Sequence, residues 1–102
     1  MKLDSSTSNE PVELRAVVGL TKGLPLAELE AMTSAAIHRH RTLVEEADNL
    51  FQALPENYKC GKMTGGDQHV RYIEAAIEMH AQMTIVATLV AVLGYVPRVS
   101  IN

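Results

Sequence analysis

Three observations predict an all-α protein: an antiparallel two-helix hairpin that dimerises into a four-helix bundle. Two long stretches, 25–54 and 67–94, carry apolar residues at alternating three- and four-residue spacing, the period of a helix-packing seam. A single loop with three glycines, 55–66, separates them, and helices of similar length joined by one loop fold back on each other. Towards its end the second stretch is apolar all round, and such a helix must be covered on every side.

Composition bounds the answer further. A chain of 102 residues suits one domain, and 47% apolar with 4% aromatic residues implies an aliphatic core. So small a chain buries a limited core by itself, which favours pairing with a second copy. The net charge of −3 offers no basic field for nucleic acid. The lone Cys60 excludes an internal disulfide, and Met1-Lys2-Leu3 leads into polar residues, unlike a signal peptide. A cytoplasmic location follows.

In chain order, residues 1–10 (MKLDSSTSNE) read as a disordered tail. From there to the C-terminus the chain is expected to form one helical-hairpin domain. In the arm 11–23, Val12, Leu14, Ala16, Val18 and Leu20 alternate with other residues, which suits an extended segment or short strand. It would lie across the bundle or dock on a partner.

The first helix is expected over 25–54, with Pro25 preorganised for its start and Glu28 and Glu30 at the positive end of its dipole. Its seam is Leu26, Leu29, Thr33, Ala36, His40, Leu43, Ala47, Leu50 and Leu54, widened by Ile37, Val44 and Phe51. Pro55 stops it. The loop 55–66 reverses the chain.

Helix two is expected over 67–94, with Asp67 as N-cap, Gly94 as a left-handed C-terminal residue, and a tail of 95–102 beyond Pro97. Its seam is Tyr72, Ala76, Met79, Met83, Val86, Val90 and Leu93, and its opposite face begins polar with Asp67, Arg71, Glu74, Glu78 and Gln82. After Gln82, Ile85, Leu89 and Val92 take the places that should face water. A second chain is expected to cover them, which puts the dimer interface at Ile85, Val86, Leu89, Val90, Val92 and Leu93. A membrane span is the competing reading, because no Asp, Glu, Lys or Arg lies between Glu78 and Arg98. The densely apolar part, 85–96, is too short to cross a bilayer.

No constellation supports catalysis. His38 and His40 are two apart on a helix and point to different faces, while His69 and His80 share a face about 16 Å apart. A metal site would need closer ligands. Gly61-Lys62-Met63-Thr64 lacks the first glycine and the Ser or Thr after Lys that a phosphate loop requires. Cys60 has Lys59 and Lys62 nearby but no assignable base. Glu45, Glu46 and Asp48 make a solvated face with Arg39 and Arg41 a turn away. No cofactor, metal or small-molecule ligand is expected.

The one basic cluster, His38-Arg39-His40-Arg41, supports an alternative reading: a dimeric helical hairpin that binds RNA or DNA through Arg39 and Arg41. The acidic surroundings disfavour it. More informative are the hydrophobes at the loop end and in the arm, Leu54, Tyr58, Tyr72, Leu14, Val18 and Leu20: most could simply close the end of the bundle, and a patch left over would be a protein-docking surface.

The segments VELR (12–15), GLTKGLP (19–25), LFQALPE (50–56), QHVRYIEA (68–75) and IEMHAQM (77–83), in this order and spacing, resemble the TraM quorum-sensing antiactivators. The resemblance runs from the arm to Asn102. It implies a cytoplasmic, homodimeric, non-enzymatic helical protein that binds TraR, the LuxR-type acyl-homoserine-lactone receptor that activates plasmid conjugal-transfer genes, and keeps it off DNA. It also implies receptor-binding roles for Leu54 and Tyr72, and for Leu14 and Arg15 in VELR. Ala16-Val17-Val18 stands where the family pattern has Pro-Leu-Ile, which implies a less rigid arm.

Overall fold

The computed structural model describes residues 13–99. The expected tail 1–10, together with 11, 12 and 100–102, lies outside the described residues. The described secondary structure is helical throughout: α1 (Glu13–Thr21), α2 (Leu26–Gln52), α3 (Glu56–Lys59) and α4 (Asp67–Leu93).

The arm is the first correction. It forms a helix, not an extended segment. The alternation that suggested a strand coexists with a helical set, Leu14, Val17 and Thr21, at three- and four-residue spacing. Burial selects the helical period: Thr21 is buried, Leu14 and Val17 are half-buried, and Leu20 is 79% exposed. The Thr21 hydroxyl donates back to the Val17 carbonyl at 2.8 Å, which closes the last turn.

Pro25 sits just outside α2 with an extended backbone, and its carbonyl accepts from the Glu28 and Leu29 amides, each at 3.0 Å. The helix ends at Gln52, two residues short of the expected Leu54. Pro55 repeats the device: its carbonyl accepts from the Tyr58 and Lys59 amides, which makes the one-turn α3 inside the expected loop.

At the start of α4, Gly66 takes the capping position expected of Asp67, with φ +91°, a left-handed conformation that glycine adopts freely. Asp67 becomes the first helical residue, where its carboxylate still meets the positive end of the dipole. His69 reaches back so that its Nδ1 accepts from the Gly65 amide at 2.8 Å, the task a Glu or Gln performs in a capping box. Gly94 ends the helix with φ +97°, as expected, and its amide donates to the Val90 carbonyl at 2.7 Å.

Contacts between α2 and α4 run in opposite order along the two helices. The Gln68 amide donates to the Ala53 carbonyl at 2.9 Å, Tyr72 packs on Phe51, Arg39 lies 3.6 Å from Glu78, and the Gln82 amide donates to the Ala36 carbonyl at 3.1 Å. Further along, Leu89 and Leu93 close a core with Leu29 and Ala36. Thr33 is fully buried here, its hydroxyl satisfied by the Leu29 carbonyl at 2.8 Å.

On α2 the expected seam is largely inside: Leu29, Thr33, Ala36, Leu43 and Ala47 are buried. On α4 it is rotated. Ala75 and Leu89 face inward, Gln82 is drawn to the seam by its hydrogen bond, and Met83 is 48% exposed. The reason is α1, which packs against the C-terminal half of α4 and places Val17 and Leu24 on the Leu29–Leu93 core. At the same end the Tyr95 hydroxyl donates to Glu30 at 2.9 Å. That hydrogen bond first, then desolvation and the Glu30 charge, raises the Tyr95 pKa above its usual 10.0.

Candidate protein-docking faces

The residues expected to contact a partner fall into two groups that the fold keeps apart. Leu54 and Tyr72 lie at the end where α2 finishes and α4 starts. Leu14 and Arg15 lie on α1, whose Val17 packs beside Leu89, about 25 Å along α4 from Tyr72. Arg15 is exposed and Leu14 half-buried.

Leu54 is not an uncovered anchor: it is 4% exposed. Its premise, an apolar side chain left uncovered at the loop end, is thereby corrected. Leu54→Ala is expected to lower the melting temperature, by a loss of roughly 2–5 kcal/mol, measurable in a thermal scan. Tyr72 is half-buried, its ring 5.4 Å from Phe51 in a tilted pair. The Lys59 ammonium also stands over the Phe51 ring, 6.0 Å from its centre.

The expected dimer interface also divides. Leu89 is 4% exposed and Leu93 is buried, both inside the chain's own core, with Ile85, Val86 and Val92 packed against them. The surface that was assigned to a second chain is covered here in part by α1, an element read from the sequence as extended. Val90 is half-buried outside that core.

Apolar surface is left elsewhere. Between α2 and α4 runs a groove of about 330 Å³ lined by Val44, Phe51, Tyr72, Ala76, Met79 and His80, with Met83 one turn further on. A second uncovered set, Val70, Ile73 and Ile77, lies on the outer side of α4 and has no counterpart in the sequence reading. Its three- and four-residue spacing was the available signal. By length and composition α4 is apolar enough to cross a membrane, yet only 22% of its most apolar window is buried within the chain. The polar row Arg71, Glu74 and Glu78 on its first half borders an open charged groove of about 590 Å³ shared with Glu45 and Glu46 of α2.

Arg39 and Arg41 point about 160° apart round α2, and Arg39 is turned to Glu78. The pair therefore presents no joint cationic surface. Among the described residues no three His, Cys, Asp or Glu side chains gather closely enough to hold a metal ion.

The comparisons decide the family. Residues 1–98 match the family described as Prokaryotic Transcriptional repressor TraM. The chain belongs to the TraM family. It is 58% identical over all 102 residues to the Transcriptional repressor TraM of Agrobacterium fabrum (strain C58), and 56% identical over the same length to that of Rhizobium radiobacter, each covered in full. Its fold resembles the crystal structure of a second quorum sensing antiactivator, TraM2, from A. tumefaciens strain A6, with a TM-score of 0.83 at 58% identity. That match covers 86% of this chain and 99% of the other. These relatives are named as transcriptional repressors.

Proposed function

We propose that this chain is an antiactivator: it binds a LuxR-type, acyl-homoserine-lactone-dependent activator of the TraR kind and prevents that activator from binding DNA, which represses plasmid conjugal transfer. The observation that carries the reading is full-length identity of 56–58% to TraM repressors, on a fold shared with a quorum-sensing antiactivator. The uncovered apolar faces supply the physical means. The protein acts in the cytoplasm, where the activator meets its operator.

It acts as a homodimer of antiparallel hairpins, each one domain spanning 11–102, that pair as a four-helix bundle. The groove face suits this pairing, because Val44 and Phe51 of α2 and Ala76 and Met79 of α4 line it together, with Asp48 and His80 as its polar members. Tyr72 stands at the end of that surface, where its ring and hydroxyl can anchor the activator.

A mobility-shift experiment with purified activator, its lactone ligand and operator DNA tests the reading. Added protein is expected to release the activator from DNA and to leave free DNA unshifted. Retardation of DNA by this protein alone, abolished by replacing Arg39 and Arg41, would establish the nucleic-acid alternative. Tyr72→Ala is expected to weaken the release while the melting temperature moves little, and a parallel loss of both would make Tyr72 a packing residue.

A further inference from the structure

The first half of α4 carries an aliphatic ridge that neither α2 nor α1 covers. Val70, Ile73 and Ile77 fall on one face by their spacing and are 44%, 39% and 62% exposed. α2 packs on another side of the helix, where Ala75 is buried and the Gln82 amide meets the Ala36 carbonyl, and α1 adds Val17 to the core that holds Leu89 and Leu93 in the second half. The ridge is also distinct from the groove face. Tyr72, Ala76 and Met79 lie roughly 120° round the helix from it, at 3.6 residues per turn.

One border of the ridge is acidic. Glu74, four residues after Val70 and three before Ile77, stands directly beside it. Beyond it Glu78, Glu45 and Glu46 line the open charged groove, with Arg71 inside and Arg39 paired to Glu78 at 3.6 Å. Glutamates outnumber arginines there, so the surface beside the ridge is negative.

That combination selects among occupants. A two-fold dimer uses the same patch on both copies. Pairing this ridge antiparallel with its own image would bring the Glu74 border against the same border of the copy, and like charges so placed repel. A membrane of anionic lipid is disfavoured for the same reason. The complement is an amphipathic helix whose aliphatic residues recur at three- and four-residue spacing, with Lys or Arg along one border. A basic helical surface is also what a DNA-binding protein offers to phosphate.

We propose that Val70, Ile73 and Ile77, with Glu74 and the acidic groove beside them, form the docking surface for a basic amphipathic helix of the transcription activator. The proposal rests on the antiactivator reading above and names the chemistry of the partner surface. A helix held there has its cations turned to glutamate and withdrawn from DNA phosphate.

The test uses the full chain and purified, lactone-loaded activator, titrated by anisotropy at low and high salt. Two variants suffice, Ile73→Ser with Ile77→Ser, and Glu74→Lys. Both sets of positions are exposed, so melting temperature and sedimentation are expected to match the parent. The expected result is binding weakened by about tenfold or more in each variant, with the charge variant also losing the salt dependence of the parent. Parent-like affinity in both variants overturns this docking surface and leaves the antiactivator reading standing. Failure of the parent protein to bind the activator overturns both. A fall to monomer in the serine variant makes the ridge a contact between copies and overturns the proposal.

Discussion

Leu89→Glu is expected to unfold the chain and not merely to split a dimer. Leu89 is 4% exposed and packs with Leu29, Ala36 and Leu93 in the core where α1, α2 and α4 meet. Losing a buried leucine costs roughly 2–5 kcal/mol through transfer and cavity terms. A carboxylate without a partner in the same place adds several kcal/mol more. Small domains have only about 5–15 kcal/mol in hand, so most of the helical circular dichroism signal should vanish at neutral pH. A well-folded monomer with native helicity would show instead that Leu89 serves an interface between chains.

Met83→Glu is expected to do the opposite. Met83 is 48% exposed on the groove face, one turn beyond Met79, and it takes no part in the core around Leu89. In the isolated chain glutamate there meets water, so little helicity should be lost. In a two-fold bundle the same carboxylate is buried against an apolar surface, near its own image. The dimer should then weaken by roughly a hundredfold or more, equivalent to about 2.8 kcal/mol, which sedimentation velocity across a dilution series will read. An unchanged sedimentation profile removes the groove face from the dimer. The thermal midpoint of the parent should also rise with concentration, as linkage requires of a dimer whose subunits are stabilised by pairing.

These two variants separate surfaces that a helical wheel alone cannot. Leu89 and Met83 both belong to the apolar half of α4, and the sequence offers no local reason why one is inside and the other out. Periodicity marks which residues can share a face, but it leaves open which face turns to which neighbour. On α2 the apolar stripe is narrow enough to leave one orientation, and Leu29, Thr33, Ala36, Leu43 and Ala47 are buried where the spacing put them. On α4 the apolar residues run nearly all the way round, so packing selects the orientation. Gln82 shows the consequence: assigned to water by its polarity, it faces α2 because its amide finds the Ala36 carbonyl.

The arm shows the same division. Leu14, Val17 and Thr21 carry a helical period, and Val12, Leu14, Ala16, Val18 and Leu20 carry an alternating one. Nine residues are too few for local propensity to choose, since a helix that short is marginal alone. The choice is made by the apolar side of α4, which offers Val17 and Leu24 a core to join. Once α1 is a helix, its Val17 joins Leu89 and Leu93 in one core, and the demand for a second chain moves to the groove face.

Leu54 and Tyr72 were legible as neighbours at the loop end, because Pro55 and Gly66 bracket a reversal that returns the chain to its own side. Their exposure was not. Leu54 is buried while Tyr72 keeps a surface, a difference that periodicity alone does not carry.

By itself, then, the sequence determined the two long helices, the glycine that ends the second of them and the stripe on α2, which depend on interactions within a few residues. Gly94 is left-handed and Pro55 ends a helix for reasons present in the tetrapeptides around them. The rotation of α4, the folding of α1 and the choice of which hydrophobes remain outside were decided by the tertiary structure. Each depends on contacts between residues far apart in the chain, where several apolar surfaces compete for too few partners, and only the packed arrangement settles that competition.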